Sequence, residues 1–222
     1  MYAKTADEAQ AELSAHQQLL EKLISDGRGA SLAVKPSTLG ATFDRELCRR
    51  NLLAIAGAAG RGCIPVELDM EGQGLVDFTL RTAIEAASTG LPVTLALQAY
   101  LDRTPADLER AIDGRLRVRL VKGAYLGDTA DFREIQKRMR NLAGRLLEAG
   151  ADFYVGTHDP ELVGWLEHAA GPFTARVRIP DGAGRRDQAP AGIRRPAGPG
   201  ICALRPARRG LHHAPPALSR RT

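Results

Sequence analysis

Five short β-prone runs, Ser31–Val34, Ile64–Leu68, Val93–Leu97, Arg117–Val121 and Asp152–Val155, are each followed by a longer stretch with helical periodicity. This alternation constrains the fold more than any other feature of the chain. Strands separated by helices return to the same sheet edge through a crossover and so run parallel, which leaves a doubly wound sheet or a closed barrel. The helical stretches carry their own punctuation. Thr104-Pro105-Ala106-Asp107 reads as an N-cap, a proline at the first helical position and a first-turn acid. Phe132, Ile135, Met139, Leu142 and Leu146 make an apolar stripe ending at Gly150, and Gly90 with Pro92 stops the helix before the third run. Upstream, Leu13, Leu20, Leu23 and Ile24 share one face of an amphipathic helix, opened by a capping box from Thr5 to Glu8 and closed near Asp26-Gly27.

The polar residues decide between the two architectures. Lys35, Asp69, Gln98, Lys122 and Thr157-His158 fall at or just past the ends of five successive runs. A doubly wound sheet gathers its ligand groups at one switch point, whereas a barrel draws them from many strand ends around one mouth. No Gly-x-Gly-x-x-Gly lies between a strand and a helix, and Gly60-Arg61-Gly62 precedes a strand, so a dinucleotide crevice has no support. The expectation is an α/β fold of the parallel (β/α)8 TIM-barrel type, incomplete, with a disordered basic tail.

A chain of 222 residues, 44% hydrophobic and 26% charged, is long enough to bury one sizeable core. Its net charge of +5 describes neither part of it. Residues 176–222 hold 11 Arg, 2 Asp and 7 Pro with no Lys, Phe, Trp or Tyr, which leaves 20 basic and 24 acidic residues before them. The chain therefore divides into an amino-terminal helix over residues 1–28, a βα body over 29–175 and the Arg/Pro-rich tail over 176–222. Cys48, Cys63 and Cys202 share no metal-ligand spacing, which fits a reducing cytoplasm and predicts no structural metal. There is no basic segment followed by an apolar run at the amino terminus and no membrane-length apolar stretch, so neither secretion nor spanning is expected.

Each strand end admits a structural and a functional reading. Lys35 in Val34-Lys35-Pro36 either snorkels to solvent or meets a ligand, and the following turn fixes where its ammonium points. In Glu67-Leu68-Asp69-Met70-Glu71, alternation sends Glu67 and Asp69 to the same side, where acids at a barrel mouth must be paired or used. Gln98 either satisfies backbone groups or offers a donor and an acceptor together to a flat heteroaromatic ligand. Arg119, between Val118 and Leu120, is a mid-strand cation that persists only when paired or facing an anionic or electron-rich partner. Gly123 and Ala124 remove bulk where backbone would approach a ligand, and Tyr125 adds an apolar face with a polar tip. Thr157-His158-Asp159 ends the fifth run; a lone histidine is commonly structural, but this one falls at the shared mouth.

Taken together, Val34-Lys35-Pro36 with Leu39-Gly40, Leu68-Asp69-Met70-Glu71, Leu97-Gln98-Ala99-Tyr100-Leu101, Arg119 through Tyr125, and Gly156-Thr157-His158 resemble proline dehydrogenase, in that family's order and with helix-sized gaps. The resemblance implies an FAD-dependent barrel oxidising L-proline to pyrroline-5-carboxylate, the first step of proline degradation to glutamate. It further implies catalytic roles for Asp69 and Arg119, with Arg119 beside the reactive edge of the flavin. Lys35 would meet the substrate carboxylate and Tyr125 cover the proline ring, while Met70, Gln98, Lys122, Gly123, Ala124, Thr157 and His158 would hold FAD. A quinone electron acceptor and peripheral membrane contact are implied by the resemblance alone.

The resemblance stops after Phe173-Thr174-Ala175. The family's closing strands and its last helix, with a tyrosine and an adjacent arginine pair for the substrate carboxylate, are not recognisable, nor is a first strand before the opening helix. A reading frame shifted by one base in a GC-rich gene accounts for the Arg/Pro tail, as does a genuine disordered basic segment. With five strands of eight, weak FAD binding and little or no turnover are expected. Two other classes remain open: a Schiff-base aldolase using Lys122, and a non-catalytic nucleic-acid binder using the tail, which the lack of tail aromatics disfavours.

Overall fold

The computed structural model describes residues 2–27 and 30–170; the tail from Arg176 lies outside the described residues. Helix α1, Ala6–Asp26, is capped by the Thr5 hydroxyl, which accepts the Glu8 N–H at 3.2 Å, while the Glu8 carboxylate accepts from the Lys4 N–H at 2.6 Å. The capping box thus closes one residue earlier than the sequence suggests. Leu13 and Leu20 are buried, joining α1 to the main core, whereas Ile24 at the end of the expected stripe is 40% exposed.

Five strands follow: β1 Leu32–Val34, β2 Val66–Leu68, β3 Val93–Gln98, β4 Arg117–Val121 and β5 Phe153–Gly156. Between and after them lie α2 Arg45–Arg61, α3 Gln73–Ser88, α4 Thr104–Asp113, α5 Phe132–Glu148 and α6 Pro160–Ala170, with a short 3-10 turn at Pro36–Leu39. All neighbouring strands pair in parallel, in the sequential order β1-β2-β3-β4-β5. A doubly wound sheet reverses its order at a switch point; this one does not, and it has the progression of a βα barrel, open at β1 and β5 among the described residues.

Strand alternation sorts the side chains into two faces. Val34, Val66, Leu95, Val118, Leu120 and Val155 are fully buried and lie under the helices, each contributing about 1.5–3 kcal/mol by burial. The opposite, concave face carries Glu67, Arg119, Val121, Tyr154 and Gly156, all of intermediate exposure. The helix layer is continuous, α2 packing on α3, α3 on α4, α4 on α5 and α5 on α6.

Two local readings are corrected by the structure. Thr104 is inside α4 and not its cap; Arg103 precedes the helix, and the Thr104 hydroxyl donates to the Gln98 carbonyl, tying the helix start to the end of β3. The first-turn acid Asp107 is buried and takes a two-pronged hydrogen bond from Arg103, Nε at 2.6 Å and Nη2 at 3.0 Å. In α5, Met139, Leu142 and Leu146 are buried, but Phe132 is 56% exposed, because it opens the helix at the mouth and does not face the sheet.

Candidate active site

Arg119 is the centre of the concave face. Its Nη1 donates to Glu67 Oε2 at 2.8 Å and its Nη2 to Asp69 Oδ1, so one guanidinium bridges two carboxylates from β2 and the residue just past it. The register explains the reach. Ala96 on β3 pairs with Arg119, and Leu68 pairs with Leu95, so Asp69 continues the register opposite Ala96. The methyl group of Ala96, together with Thr94 opposite Glu67, leaves the long arginine room to pass over β3 to β2. Ser31 Oγ donates to the other Glu67 oxygen at 2.6 Å. Burial, then the Glu67 carboxylate, pushes the neighbouring Tyr154 phenol well above its ordinary value.

The bridge lies in a cleft of about 820 Å³ at the carboxyl ends of the strands. Every residue that the sequence picks out lines it: Lys35, Asp69, Met70, Gln98, Arg119, Lys122, Gly123, Ala124, Tyr125, Thr157 and His158. Gln98 is 3% exposed; its Nε2 donates to the Met70 carbonyl at 2.9 Å, but its Oε1 is buried without a hydrogen bond, as is Arg119 Nε. Half of the amide therefore serves the backbone and half is unspent. Thr157 is buried and its hydroxyl accepts the Asp159 N–H at 3.2 Å, turning the chain so that the exposed His158 stands at the rim. Lys35 is exposed on the opposite side of the cleft and makes no ion pair among the described residues, leaving its ammonium available to an anion.

Lys122 is already committed. Its Nζ lies 3.1 Å from Asp159 Oδ2 and 4.0 Å from the centroid of the Phe132 ring. Asp159 also accepts from Gln136 Nε2 at 2.5 Å and from the Glu161 N–H that starts α6. Gln136 first, then Lys122, holds the Asp159 carboxyl below its ordinary range. A Schiff-base lysine works as an unpaired, desolvated amine, and this ion-paired ammonium is a poor candidate for one.

Glu71, the third acid of the β2 end, is not part of the cleft floor. It is 3% exposed and accepts from the Ser37 N–H at 2.7 Å and the Ser37 hydroxyl at 2.6 Å, which locks the turn carrying Lys35. Partial burial, then the charge on Glu71, raises the Tyr125 phenol above its ordinary value. Glu67, Ala96 and Asp159 are site elements to which sequence reasoning assigned no role. For Glu67 the signal was present, as its parity with Asp69 already put it on the same face; for Ala96 and Asp159 only the register and the loop path reveal it. Among the described residues no three or more His, Cys, Asp and Glu side chains group as a metal site, and no helix is long and apolar enough to cross a membrane.

A parallel sheet in sequential order, with helices on one face and polar side chains converging at the strands' carboxyl ends, defines the βα-barrel class of enzyme. The family model for proline dehydrogenase matches residues 1–138, and the chain belongs to that family of oxidoreductases. Among curated relatives, proline dehydrogenase 1 of Bacillus subtilis subsp. natto is 26% identical over 183 residues, 81% of this chain and 59% of the relative. The proline dehydrogenase of Deinococcus radiodurans is 35% identical over 156 residues, 66% of this chain and 50% of the relative. The chain thus spans between half and three-fifths of the length of these relatives. Among solved structures, proline utilization A from Bdellovibrio bacteriovorus, inactivated by N-propargylglycine, superposes with a TM-score of 0.72 at 17% identity, over 81% of this chain and 24% of that one. The Bradyrhizobium japonicum protein gives 0.72 at 21%, over 80% and 22%. These superpositions carry the fold.

Proposed function

We propose that the cleft binds FAD and L-proline, and that its residues serve the oxidation of L-proline to pyrroline-5-carboxylate. The observation that carries this reading is the guanidinium of Arg119 held rigidly over Ala96 by Glu67 and Asp69, in a cleft whose lining also keeps two polar atoms unspent. A flat heteroaromatic ring with its own donors and acceptors suits Gln98 Oε1 and Arg119 Nε, and the buried Met70 supplies an apolar floor. Family membership supports the same choice of cofactor and substrate.

Gln98, Met70, Lys122, Gly123, Ala124, Thr157 and His158 would hold the cofactor, and Arg119 would lie at its reactive edge. When bound, FAD supplies the two-electron acceptor for oxidation at the ring carbon next to nitrogen. Lys35, which lines the cleft and makes no ion pair among the described residues, pairs the substrate carboxylate and so selects an α-carboxyl. Tyr125 covers the apolar ring from above. Asp69 keeps Arg119 oriented, and the fixed guanidinium favours electron density gathering beside it without any proton moving. By family resemblance alone, a quinone would be the electron acceptor, reached by peripheral membrane contact from the cytoplasm.

Titration of the purified chain with FAD, followed by visible absorption and flavin fluorescence, tests the reading. Saturable binding is expected, weak because the described sheet is open at both edges. Gln98→Leu and Arg119→Met should each weaken it about tenfold or more, and Asp69→Asn should abolish what proline-dependent dye reduction the loaded chain shows. Absence of flavin binding, or binding that ignores both substitutions, refutes the assignment.

A further inference from the structure

The loop that joins β4 to α5 carries Tyr125, and its path is built around the side chain of Tyr100. Tyr100 follows β3 and is 4% exposed. A Cβ placed on Gly123 would overlap its ring, and so would one on Gly127, so the loop wraps the ring from two directions through residues that lack side chains. Gly123 has φ +129, a conformation that side-chain-bearing residues rarely adopt. The bulk missing at Gly123 therefore makes room for Tyr100 as well, at a residue that also lines the cleft.

Three backbone points of the loop are fastened to this one residue. The Tyr100 N–H donates to the Lys122 carbonyl at 3.1 Å, its hydroxyl accepts the Tyr125 N–H at 3.0 Å, and its carbonyl accepts the Asp128 N–H at 3.2 Å. The far end is clipped a second time, as the Asp128 carboxylate accepts from the Asp102 N–H at 2.7 Å and from Gln73 Nε2 at 2.9 Å. Between these anchors Leu126 is 91% exposed and Tyr125 40%.

We propose that Tyr100 is a positioning residue that fixes the Tyr125 backbone at the rim of the cleft, so that the Tyr125 ring closes over a bound ring substrate from a preset anchor. The substrate part rests on the reading of the cleft given under Proposed function. The loop part does not. It follows that Tyr100, though it does not line the cleft, sets how tightly a small cyclic amino acid is covered while leaving the Arg119 bridge untouched.

Amide hydrogen exchange of the whole chain tests the loop part without any ligand. Tyr100→Phe keeps the ring and removes the acceptor, so the Tyr125 amide should exchange about fivefold faster while strand amides in β2 to β5 keep their rates. Gly127→Ala, which drives a methyl group into the ring, should deprotect the same loop more strongly. An unchanged Tyr125 amide in Tyr100→Phe, or acceleration shared equally by the strands, overturns the proposal. In the flavin-loaded chain, Tyr100→Phe should raise KM for L-proline several-fold with kcat changed less than twofold; a fall in kcat at constant KM overturns the substrate part. Should the wild-type chain fail to bind flavin or proline while the exchange pattern holds, the proposed function fails and the role of Tyr100 in holding the loop stands.

Discussion

Replacing Arg119 by methionine isolates the energetic role of the bridge. Methionine keeps a flexible apolar stem in place of the arginine methylenes, so packing changes little and the lost element is charge. Each Arg119–carboxylate contact brings unit charges to roughly 4 Å, about 4 kcal/mol at an effective dielectric near 20, most of it offset by desolvation. Removing the cation leaves Glu67 and Asp69, 15% and 24% exposed, facing each other with no cation between them, and only Glu67 keeps a hydrogen bond, from Ser31 Oγ. Breaking a buried pair costs about 3–5 kcal/mol. Partial exposure here moves the expectation to the lower end, about 3 kcal/mol. With a urea m-value near 2 kcal/mol per molar, the midpoint should fall by about 1.5 M. Adding Glu67→Gln and Asp69→Asn to Arg119→Met removes the stranded charges and should recover about 2 kcal/mol of that loss. Equilibrium urea unfolding followed by circular dichroism decides the matter. A midpoint for Arg119→Met indistinguishable from wild type, or a triple variant no better than the single one, would show that the bridge is not a coupled charge unit.

Other consequences can be checked independently. Ala96→Leu should obstruct the path of Arg119 over β3, lowering stability by about 1–3 kcal/mol in thermal melts and weakening FAD binding; a variant that binds FAD as wild type does would contradict the register argument. The depressed Asp159 carboxyl gives stability that is present above its unfolded value, about 3.9, and lost as pH falls through the lower folded one. Asp159→Asn should therefore be less stable than wild type at pH 7, with the gap closing below about pH 4; a gap independent of pH would remove the ion pair from the account. Cys48 is buried and its thiol is pushed up to about 12, mainly by burial, whereas Cys63 is exposed. Mass-spectrometric mapping after iodoacetamide at pH 8 should find Cys63 alkylated and Cys48 not.

The parts of this molecule that were legible in the sequence are those written in local pattern. Five strands and the helices between them follow from periodicity, and their parallel pairing follows from the length of the connections. Alternation alone placed Glu67 and Asp69 together, and a cation between two apolar strand residues demanded partners before any were visible. What could not be read is whatever depends on a third residue. Thr104 has the composition of a cap, but its hydroxyl is taken by the Gln98 carbonyl, and Arg103 with Asp107 anchors the helix start instead. Gly123 reads only as a clearing for a ligand, and nothing in its neighbourhood in sequence shows that the Tyr100 ring also packs against it. Lys122 reads as an available amine until Asp159, on the far side of α5 in sequence, closes on it.

The aim of Arg119 is decided on the other side of the sheet. A slip of β4 by one residue would turn Arg119 under the helices and bring Val118 and Leu120 into the cleft. Val118 and Leu120 are fully buried against the helix layer, and their register partners Leu95 and Leu97 are buried with them. Exposing Val118 and Leu120 would forfeit about 3–6 kcal/mol, before the cost of an unpaired guanidinium beneath apolar helices is added. That penalty exceeds what the two carboxylates contribute to Arg119, so the apolar layer sets the register and the bridge follows from it. The charged constellation therefore need not fold itself: it is presented by strands whose opposite faces have already fixed their position.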